Sequence, residues 1–212
     1  MKAWSYWFPD LAVHVPGCPQ MLMEHELRRT AQAFFRATRA WKVDQALKPI
    51  TALTESVVVV PDLTTQDLVR VEAAWFDGRK MDPTTADGLD GQYMQGWHEI
   101  TGAPDRYLEL EPGVLRLFPL PQGAAATGLK LRLSVAPSEA ATGLPDDIAL
   151  RYRDEMHVGA KARLMLMPGK PWTNFDLAGV YGTTFGSMVN TTTVRAAMGH
   201  VQARLPSSPT WC

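Results

Sequence analysis

The sequence predicts an α+β protein: a helical bundle drawn from N- and C-terminal helices, with an inserted antiparallel β-strand lobe. Three observations carry that expectation. Apolar residues recur at helical spacing from Met23 to Trp41, the period drops to two across the middle of the chain, and helical spacing returns after Leu144. Of the 212 residues, 46% are hydrophobic and 20% charged, so there is enough apolar surface for a packed core and disorder is not the default. The expected layout is a single domain over 1–212. Its helical core falls at about 19–50 and 145–205, its β insertion at about 51–144, and its extended tail at 206–212.

The first helix follows Pro19. Met23, Leu27, Ala31, Phe34, Thr38 and Trp41 share one face, and Arg28, Arg29, Arg36 and Arg39 fall largely on the others. Next comes the β-branched run 57–60, ending at Pro61. Val69, Val71, Ala73 and Trp75 alternate with Arg70, Glu72 and Ala74 before a turn at Asp77-Gly78. The segment 84–97 predicts a short helix interrupted by Gly88, Gly91 and Gly96. Extended segments at 106–111 and 114–118 flank Pro112-Gly113, and Leu129, Leu131, Leu133 and Val135 alternate with Lys130, Arg132 and Ser134.

Helical period resumes at Leu144-Pro145-Asp146-Asp147, where acids in a first turn suit the helix dipole. Ile148, Tyr152, Met156, Gly159 and Arg163 share a face of this helix, which Pro168-Gly169 ends. Thr173-Asn174-Phe175-Asp176 reads as a capping box, with Trp172 stapling onto Leu177. The last helix carries Leu177, Tyr181, Phe185 and Met188, then Val194, Met198, Val201 and Leu205. Its face shifts, predicting a kink or a new packing partner near Asn190.

Composition narrows the function. With 21 basic against 22 acidic residues, no positive excess exists to drive tight phosphate binding. Cys18 and Cys212 cannot build a disulfide framework, which points to assembly in a reducing compartment. No apolar run approaches a bilayer span, and the segment 1–8 lacks the apolar core of a signal peptide. Seven tryptophans stand out. Most belong in a core, while Trp4, Trp7 and Trp211, in terminal segments, are interface candidates.

Chemistry-bearing motifs are weak. None of the five histidines lies in HExxH or HxH, and only Asp154 with His157 share a helix side. A solvated helix face explains that pair at least as well as acid–base chemistry. GxSxG and GxGxxG are absent, and Gly169-Lys170-Pro171 lacks both the upstream glycine and the hydroxyl residue of a phosphate loop. Asp146 with Asp147, and Asp87 with Asp90, already have roles at helix starts and turns. The residues imply no catalytic, cofactor-binding or metal site.

One ordered set of features remains. It runs from the 21–41 helix through the strand ending Trp75-Phe76-Asp77-Gly78-Arg79-Lys80-Met81, then Pro83 and Leu89. Gly96-Trp97, Gly102-Ala103-Pro104-Asp105-Arg106-Tyr107, Pro119-Leu120-Pro121 and Pro137 follow. Leu144-Pro145, Tyr152, Gly159-Ala160, Arg163-Leu164, Pro171-Trp172, Tyr181 and Phe185 complete it. In this order the chain resembles the head-to-tail adaptor proteins of tailed bacteriophages, also called connectors or tail tubular protein A-like proteins. The resemblance spans about 19–201.

It implies a non-enzymatic virion protein at the head–tail junction, assembled in the host cytoplasm as a homo-oligomeric ring, commonly of twelve copies. The implied partners are the portal protein and the tail tube, nozzle or neck proteins. DNA enters only as passing cargo, and no membrane or cofactor is involved. Such a ring needs two complementary surfaces on each subunit. The terminal helix, with Tyr181, Phe185, Met198 and Val201, is the interface candidate, and the 206–212 tail with Trp211 is either a docking peptide or a frayed end. Trp4 and Trp7 either fold back on their own bundle or meet another chain. Three other readings stay open. They are a different neck or tail-completion protein, a small hydrolase using His157 with nearby carboxylates, and a carbohydrate-binding module stacking sugars on Trp75 or Trp97.

Overall fold

The computed structural model describes residues 1–199 except 46, 60–64, 95, 112 and 124. Strand β1 (Lys2–Ala3) leads through a 3-10 turn at Trp4–Trp7 into helix α1 (Phe8–Ala12). Trp4, Trp7, Leu11 and Val15 follow one another at steps of three and four, and all four are buried. Helix α2 (Gln20–Thr38) buries Met23, Leu27, Ala31, Phe34 and Thr38, the face its spacing predicts, together with Glu26, Thr30 and Phe35. It stops where Arg39 takes a left-handed conformation, φ 52°.

Three short strands follow: β2 (Lys42–Asp44), β3 (Lys48–Ile50) and β4 (Ser56–Val58). Strands β5 (Gln66–Phe76) and β6 (Arg79–Pro83) form a hairpin whose turn residues, Asp77 and Gly78, have φ of 50° and 79°. Positive φ at both positions matches the right-handed twist of the paired strands. Helix α3 (Ala86–Tyr93) begins at Thr85, whose hydroxyl accepts from the Gly88 N–H at 3.2 Å. Strands β7 (Thr101–Gly102), β8 (Arg106–Glu111), β9 (Val114–Phe118), β10 (Leu120–Pro121), β11 (Ala125–Pro137) and β12 (Gly143–Leu144) complete the extended region. Helices α4 (Asp146–Arg151), α5 (Arg153–Met165) and α6 (Phe175–Ala197) close it.

The expectation of a helical bundle with an inserted lobe is overturned. The chain is a mixed α/β protein whose largest element is a curled eight-stranded sheet, a half-barrel, with six α-helices among the described residues. The strands run β2-β11-β5-β6-β8-β9-β4, with β3 also paired to β11. Two facts make the sheet a layer in its own right. Strands β5 and β11 are 11 and 13 residues long, so β11 holds both β2 and β3 along one side. Strands β2 and β3, in turn, come from 42–50, which helical reasoning had assigned to the bundle. Nor is the sheet purely antiparallel, since β6 pairs with β8 in parallel through Asp82↔Arg106.

The described residues cluster into two compact units. One holds 1–41, 65–66 and 136–199; the other holds 42–59 and 67–135. In the sheet unit, Val71, Met81, Leu115, Leu117, Leu129, Leu131 and Leu133 are buried. Leu89, Trp97, Leu108 and Phe118 make a second cluster under α3, where the Trp97 indole donates to Asp90 Oδ1 at 2.7 Å. In the helical unit, α5 packs against α2 and α6. Tyr152 separates α4 from α5, so the single helix expected over 144–166 is two. Gly159 marks a close approach of α5 to α2 and α6. A methyl group there would lie 2.5 Å from Thr30 Cγ2 and 2.7 Å from Phe185 Cε2.

Candidate assembly surface

The final helix has a clear start. Asn174 caps α6, its Oδ1 accepting from the Leu177 N–H at 3.0 Å, so the cap lies one residue later than the Thr173 box predicts. Asp176 in the first turn and Arg195 in the last both suit the helix dipole. No other residue of this 23-residue helix carries a charge.

Its inward stripe is narrow. Ala178, Thr192 and Ala196 are buried, and Tyr181, Phe185 and Met188 are half-buried. The remainder faces outward and is unusually dry. Phe175 and Val180 are 60% exposed and Val194 52%, with Leu177 beside them. An exposed helix of a solitary protein ordinarily turns charged side chains to water; α6 turns valine, phenylalanine, leucine, glycine and threonine.

The threonines add to this. The hydroxyls of Thr183, Thr184, Thr191 and Thr193 donate to the carbonyls of Gly179, Val180, Ser187 and Val189, at 3.0, 2.9, 3.0 and 2.8 Å. These four hydroxyls are thus satisfied within the helix, and covering them strands no donor. Gly179, Gly182 and Gly186 leave open space where side chains would stand, so another helix can approach the backbone closely.

The interface candidates divide among several places. Trp4 and Trp7 are buried within the helical unit itself. The Trp4 indole donates to the Ala141 carbonyl at 2.7 Å, and the aromatic arm folds onto its own subunit. Tyr181 and Phe185 lie on the inner side of α6, where Phe185 packs on Phe34 with ring centroids 6.2 Å apart. Met198 is half-buried at the helix end. Val201, Trp211 and the 206–212 tail lie outside the described residues. The helix runs as one element from Phe175 to Ala197, past Asn190, where a kink or a new packing partner is expected. Helical spacing names Leu177 and Val194 in its two apolar sets but not the outward residues Phe175 and Val180. The available signal was the near-absence of charge over 175–197.

Other candidate chemistry is dispersed. His157 Nδ1 lies 3.8 Å from Asp154 Oδ1, but Asp154 is exposed, and no group of three metal-ligating side chains converges among the described residues. Cys18 is buried, and burial pushes its thiol pKa up. Trp97 is buried and offers no stacking face. Trp75 lines a cleft of about 390 Å³ with Leu47, Asp77, Gly78, Gly128 and Lys130, but Lys130 and Arg132 already lie over its ring, at 5.8 and 5.6 Å from the centroid. No described helix is long and apolar enough to cross a membrane. No protein-family model and no curated protein sequence matches the chain.

Proposed function

We propose that this chain is a structural, non-catalytic virion protein: a portal-to-tail adaptor of a tailed phage that assembles as a ring of identical copies around the path of the genome. The observation that carries the reading is the outward side of α6, which exposes Phe175, Leu177, Val180 and Val194, carries charge only at Asp176 and Arg195, and binds four threonine hydroxyls to its own backbone. Exposed apolar side chains such as Phe175, Leu177 and Val180, set close together in the first two turns, are ordinarily covered by a partner. A cyclic assembly supplies one, because each copy presents one surface to the neighbour ahead and another to the neighbour behind. The feature order given above ties that ring to the head–tail junction.

The test is to purify the full chain, measure its mass by sedimentation alone and with the cognate portal, and image the product by electron microscopy. A closed ring stacked on the portal supports the reading. A monomer that ignores the portal at assembly concentrations overturns it.

A further inference from the structure

A second feature lies beside the inner stripe of α6. Lys161 of α5 is only 5% exposed, and among the described residues its ammonium has no hydrogen-bond acceptor and no salt-bridge partner. Its one direct partner is the Tyr181 ring, 5.5 Å from Nζ. The His14 imidazole, from the segment between α1 and α2, meets the same ring edge-on at 6.2 Å. One and two turns before Lys161, α5 carries His157 and Arg153 on the same side. Arg153 is engaged by Asp10 at 2.7 Å, which also lends Lys161 a distant opposite charge.

The charges around this point do not balance. Lys161 and Arg153 are cationic, and protonated His14 adds to them. Against them stand Asp10, already committed to Arg153, and Asp154, exposed and 3.8 Å from His157. Tyr6 adds only a neutral ring over Arg153. A buried ammonium is costly unless something negative answers it. Lys161 is also not closed off. Tyr152 Oη and Trp172 Nε1 are sealed from solvent without a partner, whereas Lys161 Nζ is not among the sealed atoms.

We propose that Lys161 and His14, both set against the Tyr181 ring, form with His157, one turn before Lys161 on α5, a binding site for an oxyanion of the phosphate or carboxylate type. The ammonium supplies the charge, and the two imidazoles supply N–H donors. The resting electrostatics agree. Burial, then Lys161 and His157, hold the His14 pKa below that of a free histidine, and burial lowers the Lys161 pKa. A bound oxyanion reverses both, so affinity rises as pH falls from 8 to 6. The site stands independently of the adaptor reading, since it needs no second copy.

Two sources fit the chemistry: a free oxyanion and a side-chain carboxylate of a second copy. The probe is inorganic phosphate, titrated by calorimetry into the full chain at constant ionic strength with chloride as control, at pH 6 and pH 8. Saturable binding is expected, tighter at pH 6 and about tenfold weaker in Lys161→Gln. His14→Asn, at an exposed position, gives the same direction without touching the core. Sedimentation runs in parallel. Phosphate that binds without changing mass marks a free-anion site, while phosphate that dissociates wild-type copies marks a neighbour's carboxylate as the resident. Heats no larger than those of chloride, with mass unchanged, overturn the proposal, as does equal phosphate affinity in wild type, Lys161→Gln and His14→Asn.

Discussion

The change Gly→Ala should act with opposite sign at two positions of the helical unit. At Gly159 the added methyl falls 2.5 Å from Thr30 Cγ2 and 2.7–2.8 Å from two Phe185 ring carbons. Neither neighbour can yield easily. Thr30 is fully buried with its hydroxyl bound to the Glu26 carbonyl at 2.7 Å, and Phe185 is held against Phe34. Overpacking of this kind costs about 1–3 kcal/mol, while alanine in place of a helical glycine returns about 1 kcal/mol. The net is a loss on the order of 1 kcal/mol, or a fall in Tm of about 2–4 °C for a chain of this size. At Gly182 nothing lies within 4 Å of the added methyl. Only the propensity gain remains there, and Tm should rise by a similar amount. Thermal unfolding followed by circular dichroism, in dilute protein where copies are not associated, reads both. Gly159→Ala at or above wild type would refute the packing argument, as would two shifts of the same sign.

Trp4→Phe removes the indole donor to the Ala141 carbonyl and should destabilise the helical unit by about 1–3 kcal/mol, visible as faster amide exchange near Lys2–Ala3 and Gly143–Leu144. Burial raises the Glu155 carboxyl above the usual range. The folded state therefore holds that proton more tightly than the unfolded chain, and stability is lost as pH rises through the folded value. Glu155→Gln should exceed wild type in Tm at pH 7 and match it at pH 4. Asp44 shows the reverse linkage. Its hydrogen bonds from Arg132, directly opposite in the β2–β11 ladder, hold its pKa low. Asp44→Asn should lose no more than about 1 kcal/mol at pH 7 and nothing at pH 2, measured by urea unfolding. Val180→Lys, on the outward side of α6, should leave subunit Tm within about 0.5 kcal/mol equivalents of wild type while abolishing self-association in sedimentation.

Much of the fold was legible where one period ran long enough. Helix α2 and strand β11 each repeat their pattern over several residues, and Asp77-Gly78 names its own turn. Strands β2 and β3 were not, because three residues such as Lys42-Val43-Asp44 show no period and gain their pairing only from β11. The N-terminal arm was a different failure. Trp4, Trp7, Leu11 and Val15 already stand at helical steps, so the inward turn was written in the spacing and obscured by the aromatic composition. For α6 the sequence located the helix and its inner stripe. Which outward residues lack a partner depends on what α2 and α5 leave uncovered, and that is a property of three dimensions. The Lys161 cluster is more distant still: helical spacing lines up positions 153, 157 and 161, but no local pattern joins them to His14 and Tyr181.

The ends of the large sheet carry their own consequence. Strands β2 and β4, which terminate it, are three residues each, and the Val58 carbonyl on β4 is occupied by the Lys48 ammonium at 2.8 Å. Lysines and truncated borders of this sort deny an incoming chain the long row of free backbone groups that cross-β growth requires. A polypeptide crowded at high local concentration can then meet its own kind through a helix without also zipping into fibrils. The same borders make the β2–β11 margin a tolerant place for a short charged insertion, and a poor one for an apolar one.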